Sequence, residues 1–226
     1  MNPREPSIDL VELPPLQRLL LAYAPPDARA WHSLIWQLDA RLAELVRRRG
    51  DPTIAAIRLA WWDAVLVEGD QSKGSGEPLV EQWRRLATGG AGDAADQLID
   101  GWRVLISPDP LNDQDLLDYA QARGGGLFRL LAGAKGEVAP ESISRFGAIW
   151  ALWDLAGHVH DDALALRSIK AAQALHGGNP QPPKMLPRPL RLLVAVTLPD
   201  VRAARIPSPA FTPRHYARLL MAALRG

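Results

Sequence analysis

Between glycine- and proline-rich breaks, the apolar residues of this chain recur at three- and four-residue intervals, and no stretch alternates strictly with β-branched enrichment. A period near 3.6 places those residues on one face of a helix, while a buried strand needs a period of two. The chain is therefore confined to helix-on-helix packing, and no sheet is expected. The breaks at 69–76, 88–92, 133–140, 176–183 and 207–213 divide it into short helical stretches. Helices are predicted over 15–23, from Asp27 as a cap to about 50, and over 52–67, 79–86, 94–106, 113–131, 141–159, 162–175, 189–198 and 213–224. Pro52 suits a first helical turn, and Arg47, Arg48 and Arg49 suit the negative end of a helix dipole. The loops are short, no period repeats, and a single all-α domain over 1–226 is expected.

Composition narrows the function classes. The formal net charge is +1, which is unlike a nucleic-acid-binding domain. The charge is unevenly placed: residues 184–226 hold eight Lys and Arg against one acid, Asp200. That segment is suited to a diphosphate, an anionic membrane surface or an acidic partner, or is simply a solvated basic face. Cysteine is absent, which removes thiol chemistry and fits a reducing compartment. Residues 1–9 are polar, so no secretory leader is expected, and the apolar run 190–198 is too short to span a bilayer. A cytoplasmic protein is the expectation.

Eight tryptophans are a heavy load for such a chain. Core packing is the default reading for aromatics at helical spacing, and lining of an apolar cavity is the alternative. The glycine run 124–126 sits inside a helical pattern and suits close helix packing. Asp93, Asp96 and Asp100 form a DxxxD-like series, but Leu98, Trp102 and Leu105 lie opposite, so a solvated acidic face is expected. Asp113, Asp115 and Asp118 read as a helix N-terminus. No HExxH, GxSxG, Walker or GxGxxG element is present.

The run Ile57-Arg58-Leu59-Ala60-Trp61-Trp62 resembles the "iRLqWW" signature of the squalene/phytoene synthase family. Flanking features agree: Leu38-Asp39-Ala40-Arg41-Leu42-Ala43 one helix earlier, "YAQARGGG" from Tyr119, and "GAIWALWDLAGHVHDD" from Gly147. The likeness implies the isoprenoid synthase fold, a helical bundle around a deep apolar cavity. Active members join two prenyl diphosphates head to head, using Mg²⁺ held by two aspartate-rich motifs that face each other across the cavity. Carboxylates at i and i+4 share a helix face, which is why such motifs suit an oxygen-seeking cation that stabilises a departing diphosphate.

This chain departs from that pattern at the metal positions. In the first motif Asp39 remains, Ala43 stands at i+4, and Glu44 is one residue out of register. Asp39 lies among apolar residues, so it is also a candidate buried partner for Arg41 or Arg58. In the second motif Asp154, His158 and Asp162 stand at i, i+4 and i+8 on one predicted face. Imidazole suits zinc better than magnesium, and Asp161 and Asp162 also suit the capping of the next helix. The resemblance thus gives Asp39, Asp154, His158 and Asp162 as residual metal positions, and Arg58, Trp61 and Trp62 as substrate-binding positions. Arg58 is read equally as an intramolecular ion-pair partner.

The reading that follows is a degenerate, non-catalytic member of the family. It resembles the branch that includes a mitochondrial complex I assembly factor with a phytoene-synthase-like domain. Such a protein would act as a scaffold for a membrane-associated partner at the inner membrane face, or would hold a prenyl diphosphate or lipid in an apolar cavity, without a cofactor. The alternative is an active prenyltransferase that uses Mg²⁺ at Asp39, Asp154 and Asp162.

Overall fold

The computed structural model describes residues 12–47, 51–107, 109–133, 141–177 and 186–225, with Glu141 and Ser142 as backbone only. Among these residues there are eleven α-helices and no strand. They are α1 (Pro15–Ala22), α2 (Arg29–Arg47), α3 (Pro52–Leu66), α4 (Pro78–Leu86), α5 (Ala91–Val104), α6 (Asp113–Tyr119), α7 (Gly125–Ala132), α8 (Glu141–His158), α9 (Asp162–His176), α10 (Arg188–Arg202) and α11 (Pro213–Leu224).

The local chemistry of the helix starts matches the sequence. Asp51 accepts the Thr53 amide ahead of Pro52, and Asp161 accepts the amides of Ala163 and Leu164. Asn112 and Asp115 form a capping box that opens α6. Each cap satisfies amides that the first helical turn leaves without a partner. Helices α2, α5 and α10 differ from expectation at their ends, with α5 running from Ala91 to Val104 instead of 94–106 and the expected end of α2 near 50 lying outside the described residues. Helix α2 begins at Arg29, leaving Asp27 outside it, with the Ala28 carbonyl accepting the His32 amide. Helix α10 runs on through Pro199 to Arg202, because the tertiary contacts of its buried face outweigh the lost amide.

The helix expected over 113–131 is interrupted. Residues Ala120–Gly124 form a π turn between α6 and α7. The extra residue in that turn rotates the following helix by about 100° relative to α6. Three glycines make the turn's surroundings possible. A methyl group on Gly124 would fall on the carbonyl of Gly147 in α8, and one on Gly147 would fall on the carbonyl of Gly124. On the other side, a methyl on Gly101 of α5 would strike the backbone of Arg123. The π turn is thus clamped between α5 and α8 at backbone-to-backbone distance.

Every α-helix contributes to one buried apolar cluster. Helix α8 is its axis, packing on α9, α10, α7 and the π turn. Seven of the eight tryptophans are buried, and Trp61 is half-buried. Trp36 meets Trp150 edge-on at 5.7 Å, and Phe128 lies 6.0 Å from Trp150. These contacts place Trp36, Phe128 and Trp150 in the packed core.

Candidate functional site

Helices α2 and α8 bring Asp39 and Asp154 to the same point of the interior, and the π turn delivers Arg123 between them. All three are buried. Arg123 Nε and Nη2 donate to Asp39 Oδ1 and Oδ2 at 3.0 and 2.8 Å, a bidentate pair. Its Nη1 donates to Asp154 Oδ2 at 2.8 Å and also to the Tyr119 hydroxyl. Trp102 Nε1 adds a hydrogen bond to Asp39 Oδ1 at 2.8 Å. The guanidinium is sandwiched by rings, 4.2 Å from the Trp102 centroid and 4.8 Å from that of Trp150. A planar fork with five donors is matched to two carboxylates and two ring faces in a way that a lysine would not be.

The electrostatics follow from burial and pairing. Burial is the largest influence on Asp154 and pushes its carboxyl up. The charges of Arg123, His158 and Arg47 outweigh it and hold the group below the ordinary range. Arg123 is likewise opposed by burial, yet Asp39, Tyr119 and Asp154 keep its guanidinium protonated far above any accessible pH. Burial drives the Tyr119 hydroxyl upward, so it stays neutral and serves as a hydrogen-bonding wall. Two carboxylates against one guanidinium leave the triad with a net charge of −1, and Arg47 and His158 face it from the rim.

Two clefts reach the triad, each lined by Arg47, Arg123, Asp154 and His158. One, of about 220 Å³, is walled by Trp36, Trp153 and Phe211. The other, of about 230 Å³, is walled by Leu111, Leu155 and Val159. Both fall below the ~300–1,000 Å³ usual for a pocket that encloses a drug-sized ligand.

The predicted site residues are only partly united. Asp39 and Asp154 meet, and the partner of Asp39 is Arg123, not Arg41 or Arg58; Arg41 instead pairs with Glu44 at 3.2 Å. His158 ends α8, and its Nδ1 lies 2.8 Å from the Asp154 carbonyl oxygen and 3.5 Å from Asp154 Oδ1. Because a carbonyl only accepts, Nδ1 carries a proton in this contact. Asp162 does not share that face. Helix α8 stops at His158, and Asp162 opens α9 as an exposed residue beside its cap Asp161. Arg58, Trp61 and Trp62 lie apart from the triad, lining a cleft of about 310 Å³ with Arg41, Leu45 and Glu77. Arg58 is exposed and forms no ion pair with a described residue, while Trp62 is buried against the core.

Sequence reasoning missed Arg123. Its signal was present: a single charge in the otherwise neutral run from Tyr119 to Phe128, one helical turn after a tyrosine. No protein-family model, curated protein or solved structure matches this chain.

The donor set does not fit Mg²⁺. Three of the four oxygens of Asp39 and Asp154 already accept hydrogen bonds from Arg123, two at Asp39 and one at Asp154. Mg²⁺ needs near-octahedral oxygen ligation, and a fixed guanidinium occupies the space between these carboxylates. Among the described residues no group of three or more His, Asp or Glu is arranged to hold a metal ion.

A third buried carboxylate is Asp200 of α10, the one acid of the basic C-terminal segment. Arg218 of α11 grips it with two bonds of 2.8 Å, Arg205 adds one at 3.2 Å, and His215 Nε2 stands 3.6 Å away. Burial raises the Asp200 carboxyl, but Arg218 more than reverses this and keeps it ionised. This centre fixes α11 to α10 beside Trp153 and the first cleft.

Proposed function

We propose that this protein is a non-catalytic relative of the squalene and phytoene synthases, with the isoprenoid synthase fold, acting as a scaffold or assembly factor rather than as a prenyltransferase. One observation carries the reading: Arg123 sits between Asp39 and Asp154, two of the three carboxylates that the resemblance assigns to metal. A guanidinium supplies a permanent positive charge where a working enzyme would use exchangeable Mg²⁺. It neutralises the carboxylates and ties α2, α8 and the π turn together. A catalytic function is thereby exchanged for a structural one. The ring-filled interior supports a scaffold over a lipid carrier, since the clefts beside the triad are small.

The test is calorimetric titration of the intact protein with a non-hydrolysable farnesyl diphosphate analogue, with and without Mg²⁺. The scaffold reading expects no Mg²⁺-dependent heat. Tight binding that requires Mg²⁺ would return the protein to the prenyltransferase class.

A further inference from the structure

Helix α11 is apolar on both sides. Leu219 faces inward to the core, and His215 and Arg218 turn toward Asp200. The outward face carries Tyr216, Leu220, Met221 and Leu224, exposed by 51, 43, 49 and 75%, with exposed Ala217 among them. At 100° per residue these five side chains fill an uninterrupted arc of about 140°. Arg214 and Arg225 follow on one edge of that arc, are exposed, and form no ion pair with a described residue. Arg188 stands beside the C-terminal end of the helix, donating to the Ala223 carbonyl at 3.1 Å. From Val201 to Arg225 the chain contains five arginines and no acid.

Two properties of this face select the occupant it suits. The first is area. A helix of 12 residues is about 18 Å long, and a strip about 10 Å wide covers about 180 Å². A stable protein interface needs about 800 Å² per partner. The second is charge. In an antiparallel pairing with a second copy, the arginine edge would meet itself. An anionic surface would neutralise it. We infer that the outer face of α11 seats the protein on an anionic lipid bilayer. Leu220, Met221 and Leu224 enter the boundary between headgroups and acyl chains, Tyr216 lies at headgroup level, and Arg214, Arg225 and Arg188 meet lipid phosphates. A short apolar insertion and a basic rim are each weak alone and together give reversible attachment. No helix of the described residues is long and apolar enough to cross a membrane.

The inference stands apart from the scaffold reading, because it is tested without Mg²⁺ or prenyl diphosphate. Co-sedimentation with phosphatidylcholine vesicles, with and without phosphatidylglycerol, measures it directly. Binding is expected only to the vesicles containing phosphatidylglycerol and is expected to fall with added salt. Leu220→Glu/Leu224→Glu should abolish it. Arg214→Gln/Arg225→Gln should weaken partitioning about 25-fold, at about fivefold for each cation removed from an anionic surface. The arginine pair is exposed and leaves the core untouched, so it decides the matter even if the leucine pair unfolds. Equal binding to both vesicle types, or binding to neither, overturns the inference. So does a dimer in light scattering that Leu220→Glu/Leu224→Glu converts to monomer.

Discussion

Replacing Arg123 by Met keeps a flexible apolar stem against Trp102 and Trp150 but removes the guanidinium. Asp39 and Asp154 are then left as two buried carboxylates without their cation. Breaking a buried pair by removing one partner costs about 3–5 kcal/mol. The desolvated stacking on Trp102 adds about 2 kcal/mol. A loss of about 5–7 kcal/mol consumes most of the ~5–15 kcal/mol that holds a domain of ordinary stability. With a urea dependence near ~3 kcal/mol per molar, the unfolding midpoint should fall by about 2 M. Tryptophan fluorescence reports it well, because Trp102 and Trp150 flank the site.

The sign of the pH dependence gives an independent check. In the wild type the Asp154 carboxyl lies below its unfolded value. Its contribution is therefore present at neutral pH and lost as pH falls through the folded value. Without Arg123, burial dominates and raises the carboxyl above its unfolded value, so acid should stabilise Arg123→Met relative to pH 7 while it destabilises the wild type. The balanced variant Asp39→Asn/Arg123→Met/Asp154→Leu removes all three charges and retains an acceptor for Trp102. Replacing a buried ionic group by apolar side chains is often neutral or better, so its midpoint should return close to that of the wild type. A midpoint for Arg123→Met within ~0.3 M of the wild type, about 1 kcal/mol on the same urea slope, would refute the account. A triple variant as unstable as the single one would refute it too.

Further outcomes follow from the same geometry. Gly147→Ala places a methyl group on the Gly124 carbonyl, a backbone collision that rotamers cannot relieve. It should cost ~3 kcal/mol or more in urea unfolding, at the upper end of overpacking penalties. Burial lowers His32 to about 4 against the partial support of the Leu131 backbone. Stability should thus be full above the unfolded histidine value and decline as pH falls toward 4, by about 3 kcal/mol; His32→Leu should flatten that part of the profile. Arg218→Met leaves Asp200 with only Arg205, His215 and Trp153. A loss of about 2–3 kcal/mol is expected, at the low end for a broken buried pair, with fraying of α11 in hydrogen exchange ahead of α8.

The reach of the sequence can be judged residue by residue. The helices were legible because apolar period, prolines and caps are local signals: Pro52, Asp113, Asp161 and Pro213 mark starts that the structure keeps. Helix type was set by the periodicity, and the run at Gly124 announced a close crossing. The solvated role of Asp96 and Asp100 was also legible, since their opposite face carries Leu98 and Trp102.

Partnership was not legible, because it depends on which faces meet across long stretches of chain. Asp39 and Arg123 lie 84 residues apart, and Arg123 and Asp154 lie 31 apart. Nothing local distinguishes a carboxylate that awaits a metal from one that a distant guanidinium already holds. The same limit misplaced Asp162, whose helical register with Asp154 and His158 ends where α8 ends. Arg58, Trp61 and Trp62 line a different cleft, with Arg41, Leu45 and Glu77. The sequence by itself determined an all-helical chain with Asp39 among apolar residues and Asp154 one turn before His158. Tertiary packing decided what those carboxylates do. The glycine contacts at Gly101, Gly124 and Gly147 let the π turn approach close enough to drive a permanent cation between them.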